Sequence, residues 1–170
     1  ISIGGREWRV SVGTGHAPEH ACLYCDELRV LISGDQILPK ITPNISVWAS
    51  EPDANPLEDY LGSLDQFRAL PADTLVLPSH NLPFRGLHRR LDELQSHHDE
   101  RLDRLRDAPE KGDGMSAAEA VPILFRRDLD SHQFGFAMGE ALAHLAYLEG
   151  RAELAAGKGD DGVVRFVPKS

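Results

Sequence analysis

Three short loops constrain this chain more than any other feature. They are Thr14-Gly15-His16-Ala17-Pro18-Glu19-His20, Ser33-Gly34-Asp35 and Leu77-Pro78-Ser79-His80. Each places a metal-competent side chain, His16, Asp35 or His80, just past an apolar run that reads as a β-strand. A strand end feeding a loop is where a rigid scaffold can hold a ligand at fixed geometry. One such histidine means little. Three such residues in chain order, each with Gly or Pro nearby, imply a site assembled from the ends of several strands.

The elements around these loops follow from local pattern. Residues 6–12 alternate, with Arg6, Trp8, Val10 and Val12 against Glu7, Arg9 and Ser11, and read as a strand. Residues 21–24 form a second strand, Cys25-Asp26-Glu27 turn the chain, and residues 28–33 return as a hairpin. Residues 36–55 carry Pro39, Pro43 and Pro52 and show no period, as long functional loops often do. There Ile41, Ile45 and Trp48 either line a substrate wall or cover an edge of the core. Residues 56–70 read as a helix, with Asn55 as N-cap, Pro56 in the first turn and an apolar stripe of Leu57, Tyr60, Leu61, Leu64 and Phe67. Residues 73–77 are a short buried strand, and residues 86–107 a charged, leucine-spaced helix. His97 and His98 on that helix read as surface or packing residues.

Residues 109–114 are a linker by composition, dividing the chain into domains 1–108 and 109–170. Beyond it, Ser116 and Glu119 form a capping box opening a short helix, with Pro122 near its edge. Asp130 or Ser131 opens a longer helix to about residue 149, ended by Gly150. Residues 153–155 and 163–167 then flank a Gly-rich turn. Helix, helix and hairpin make a winged-helix pattern.

The loops carry a resemblance as well. Gly15-His16-Ala17-Pro18-Glu19-His20 is similar to the Gly-His-Thr-Pro-Gly-His motif of metallo-β-lactamase-fold hydrolases. Ser33-Gly34-Asp35 resembles that family's Ser/Thr-Gly-Asp, and Pro78-Ser79-His80-Asn81 its Pro-Gly-His-Gly. Order and spacing agree over nearly the whole chain, and the tail resembles that of lactamase-like endoribonucleases. The resemblance implies an α/β (α+β) fold: the C-terminal half of an αββα sandwich followed by a small winged-helix-like domain. It also implies two divalent metal ions, zinc first and manganese or iron as alternatives, with a metal-activated water as nucleophile. His16 would bind the first metal, Asp35 would bridge both and His80 would bind the second, while His20 would hydrogen-bond near the ligands rather than touch a metal.

The departures matter too. Glu19 and Asn81 each stand where the family pattern has Gly, and no His-x-His occurs anywhere, so the first metal motif, His-x-His-x-Asp-His, is absent. The expectation is a piece of a longer metal-dependent hydrolase, with its metal set incomplete and no activity of its own.

Composition bounds the substrate and partners. The net charge of −9 argues against a chain-wide field that attracts nucleic acid, although a local basic groove is compatible with it. An ester or thioester fits an acidic chain; the tail favours RNA. The alternative is a winged-helix module that binds nucleic acid or protein without catalysis. Residues 131–149 offer His132, Gln133 and His144 but no Lys or Arg, so specific DNA binding is not expected. Self-association is expected if apolar surface lies uncovered. No apolar run is long enough to cross a membrane. Cys22 and Cys25 read as structural thiols, and the expected compartment is a reducing cytoplasm.

Overall fold

The computed structural model describes residues 1–108 and 114–169. The linker reading at 109–114 therefore falls outside the described residues except for Gly114. By contact density the chain divides into two compact units, Ile1–Pro43 with Glu58–Ser96, and Asn44–Leu57 with His97–Ser170.

The first unit begins with a small ribbon of β1 (Ser2–Ile3) and β2 (Arg6–Glu7). The alternating stretch 6–12 is thus not one strand. The chain breaks at Trp8, whose backbone exchanges hydrogen bonds with Ile1, and starts afresh as β3 (Arg9–Gly13). This strand leads a four-stranded sheet in the order β3, β4 (His20–Cys25), β5 (Val30–Gly34), β6 (Leu75–Pro78). The first two pairings are antiparallel and the last is parallel. Two strand ends therefore emerge side by side, with Gly34 paired to Pro78. Asp35 and His80 are delivered to one edge of the sheet by this parallel register.

Alternation sorts the sheet residues. Cys22, Tyr24, Leu31, Ser33 and Val76 are buried on one face. The other face carries the row Val10, Leu23, Ile32 and Leu77, set by the cross-strand register, and stays accessible: Val10 and Val12 are each 45% exposed and Ile32 38%. A solvated sheet face normally reads polar, so this uncovered apolar row is unusual.

Helix α1 (Pro56–Arg68) buries Leu57, Tyr60, Leu61, Leu64 and Phe67, the stripe its spacing predicts. Polar bonds pin it to the strand ends. Thr14 Oγ1 donates to Asp59 O at 2.8 Å, Gln36 Nε2 to Ser63 Oγ at 2.9 Å, and Gln66 Nε2 to Val12 O at 2.9 Å. Helix α2 (Leu87–Arg106) runs from the first unit into the second. In the first unit Arg90 reaches back to the carbonyls of Leu38 and Ile41, closing the irregular segment after Asp35.

The second unit contains the last turns of α2, then β7 (Met115–Ser116), α3 (Ala117–Leu124), α4 (Ser131–Gly150), β8 (Leu154–Lys158) and β9 (Val164–Pro168). Its sheet has the order β7-β9-β8, all antiparallel. Both expected helix starts are built as capping boxes: Ser116 with Glu119, and Asp130 with Gln133. Pro122 falls late enough in α3 that the helix closes at Leu124. Segment 44–57 packs against α4 so closely that a Cβ on Gly139 would meet Ser46 Oγ at 2.7 Å. Ile45 is buried there, whereas Trp48 is 56% exposed. Among the described residues, no helix is long and apolar enough to cross a membrane.

Candidate metal centre

Each candidate ligand sits where strand geometry ends. His16 follows Gly15, whose φ of +92° turns the chain out of β3 toward β4. Asp35 follows Gly34 at φ +53°, the last residue of β5. His80 lies two residues beyond β6. All three belong to the first unit.

The structure brings them together around the Asp35 carboxylate. His80 Nε2 lies 3.2 Å from Oδ1 and His16 Nε2 lies 3.6 Å from Oδ2. Each carboxylate oxygen therefore faces a different imidazole. Ser79 Oγ also donates to Asp35 Oδ1. Among the described residues, no group of three or more His, Cys, Asp or Glu side chains is arranged to hold a metal ion. The contacts are pairwise, one histidine to each oxygen.

His20 plays a different part. Its Nε2 accepts the backbone N–H of Asp35 at 2.8 Å, so this nitrogen is already engaged. Burial lowers its pKa, the nearby His16 lowers it further, and Asp35 partly offsets both. A neutral ring with Nε2 as acceptor is the state this hydrogen bond requires. The ring lies so close to the β5 exit that a Cβ on Gly34 would collide with His20 Cε1.

Two family models divide the chain between them. The model of the metallo-beta-lactamase superfamily matches residues 1–80, and that of the metallo-beta-lactamase-like, C-terminal domain matches residues 99–169. The chain belongs to the metallo-β-lactamase superfamily. It is 52% identical to a beta-lactamase domain protein from Burkholderia ambifaria, over 99% of this chain and 50% of that one, with a TM-score of 0.95. It is 34% identical to a metallo-beta-lactamase family protein from Thermus thermophilus, over 99% of this chain and 52% of that one, with a TM-score of 0.80. The chain thus spans about half the length of these structures. No curated protein matches it.

Within this superfamily member, one polar cluster escapes sequence reasoning. In the second unit His98 and His144 are fully buried, with His98 Nδ1 at 3.2 Å from His144 Nε2. His144 Nδ1 lies 2.7 Å from Glu140 O, and Glu140 in turn pairs with Arg101, which stacks over Phe125. Burial drives the His98 pKa down to about 2 and that of His144 to about 3. Burial also raises the Glu140 carboxyl, against the pull of Arg101. His144 therefore cannot face a nucleic-acid groove as its position in residues 131–149 suggests, because α4 turns it inward. The leucine spacing of α2 placed His98 beside a buried stripe, but its partner 46 residues away is set only by packing. Cys22 and Cys25 are free and buried, and burial pushes the Cys22 thiol up to about 12, so Cys22 is not a poised nucleophile.

Proposed function

We propose that this chain contributes His16, Asp35 and His80 to a two-metal hydrolytic centre. The observation that carries the reading is the placement of one imidazole at each oxygen of a single carboxylate, at 3.6 and 3.2 Å. Two donors bonded to one tetrahedral zinc at about 2.0–2.1 Å stand about 3.4 Å apart. Each His–Asp35 pair is therefore spaced as two donors to one ion would be, and Asp35 is the residue that would be shared between two ions. The pairwise arrangement also suits two metals better than one. When bound, such ions act as Lewis acids and activate water at neutral pH. The chain's own residues would hold and orient the ions: His16 and His80 through their imidazoles, Asp35 through the shared carboxylate, while His20 accepts the Asp35 N–H and fixes its backbone.

Three ligands are an incomplete set for two ions, so the remaining donors come from residues outside this chain, and alone it turns over little or nothing. The substrate class would be an ester, thioester or phosphodiester, for whose hydrolysis the bound ions would supply the activated water. Zinc suits the His/Asp donors, and manganese or iron can fill similar sites.

A direct test mixes this chain with the other half of the Burkholderia ambifaria relative, in the presence of Zn2+ or Mn2+. Metal-dependent hydrolysis of p-nitrophenyl acetate, an acyl thioester or bis(p-nitrophenyl) phosphate is expected to appear on mixing and to vanish with Asp35→Ala. A reconstituted activity indifferent to that substitution would contradict the assignment.

A second reading assigns the tail a binding role. The β7-α3-α4-β8-β9 order with sheet order β7-β9-β8 supports a winged-helix description. Arg126 and Arg127 are exposed in the segment before α4, and His132, Phe134 and Phe136 in its first turns. The net charge of −9 and the inward turn of His144 make this the weaker reading.

A further inference from the structure

Ser79 stands directly before His80, where the family pattern has Gly, and the metal ligands alone give it no role. We propose that Ser79 is a positioning residue for Asp35, its hydroxyl holding the carboxylate with one oxygen toward each histidine. The proposal rests on the metal reading above and adds to it a residue that is not itself a ligand.

The geometry begins with the backbone. The Ser79 N–H donates to Gly34 O at 3.1 Å, immediately beyond the parallel pair Gly34–Pro78. Ser79 and Asp35 are thereby fixed to each other by the sheet itself. From that anchor the Ser79 hydroxyl donates to Asp35 Oδ1, the oxygen that also faces His80. The Asp35 backbone is held separately, through its N–H to His20. Side chain and main chain are thus restrained by two residues that are not in the proposed ligand set.

The histidines cannot do this job in both states. His16 and His80 can hydrogen-bond the carboxylate only while their nitrogens are not given to a metal. Serine is not among the usual ligands of zinc in such sites, so its hydrogen bond to Asp35 persists with or without the ion. A hydroxyl donating to a carboxylate is a charge-assisted bond, stronger than a neutral one. Partners of this kind typically change metal affinity about 10–100-fold when removed. Glycine at this position would leave the Asp35 torsion to the ligands alone.

The test uses this chain with Ser79→Ala and Ser79→Thr, in two measurements. Without metal, three-bond NMR couplings report the χ1 of Asp35. The wild type and the Thr variant are expected to hold one rotamer, and the Ala variant to average over several. With metal, calorimetric titration of Zn2+ is expected to show affinity about tenfold lower or worse for Ser79→Ala, restored by Thr, with thermal stability unchanged. An Asp35 rotamer that stays single in Ser79→Ala overturns the proposal, as does an undiminished Zn2+ affinity. A wild-type chain that takes up no Zn2+ contradicts the metal reading instead, and the rotamer measurement then decides the role of Ser79 alone.

Discussion

At the scale of single residues, the site depends on backbone positions that only some side chains tolerate. Gly34 adopts φ +53° and faces the His20 ring, so a methyl group there is both strained and obstructed. Gly34→Ala is expected to cost about 1–3 kcal/mol of stability and to displace His20 from the Asp35 N–H. Urea unfolding and the His20 ring resonances measure the two effects. The departures from the family pattern have separate explanations. Asn81 sits at φ +67°, a left-handed conformation that asparagine adopts more readily than most residues, so the turn after His80 survives the loss of Gly. Glu19 is exposed and is not among the residues with positive φ, so nothing in the backbone demands Gly there. The placement of His16, Asp35 and His80 just past strand ends was legible because turn residues mark strand exits in any sequence. The hydroxyl of Ser79 and the acceptor role of His20 were not, because they depend on which strand ends lie side by side.

At the scale of elements, most boundaries followed from local signals. The stripe of α1, the two capping boxes and the hairpin turn after Cys25 are short-range chemistry and appear where that chemistry puts them. The break at Trp8 was hidden, since alternation continues through it while the hydrogen bonds do not. The α2–α4 contact was hidden for the opposite reason: it is long-range and polar. Its consequence is a pH dependence with a definite sign. His98 and His144 have folded pKa values far below the ordinary 6.5, chiefly from burial. The unfolded chain therefore takes up protons first, and their contribution is fully present above about pH 6.5 and is lost as the pH falls below it. Two such groups give a slope of at most ~2.7 kcal/mol per pH unit. Across that window they face Arg101, Glu140 and His97, and Arg101 already adds positive charge. Urea unfolding between pH 7.5 and 5 is expected to show this loss, and His98→Gln with His144→Gln to flatten it. A flat profile in the wild type would mean that the pair is not buried in solution.

At the scale of the whole molecule, the chain supplies a sheet, its helices and a tail, but spans only about half the length of the structures it matches. The row Val10, Leu23, Ile32 and Leu77 leaves an apolar sheet face uncovered, and such a face gains free energy only when another layer covers it. The proposed site likewise has one histidine at each oxygen of Asp35 rather than a closed shell. The metal site is therefore the claim on which the account turns. The most direct measurement is a Zn2+ titration of the 15N-labelled chain followed by NMR, with Asp35→Ala beside it. The account predicts saturable changes at His16, Gly34, Asp35, Ser79 and His80, absent from the variant. Changes centred elsewhere, or the same changes in Asp35→Ala, would contradict it.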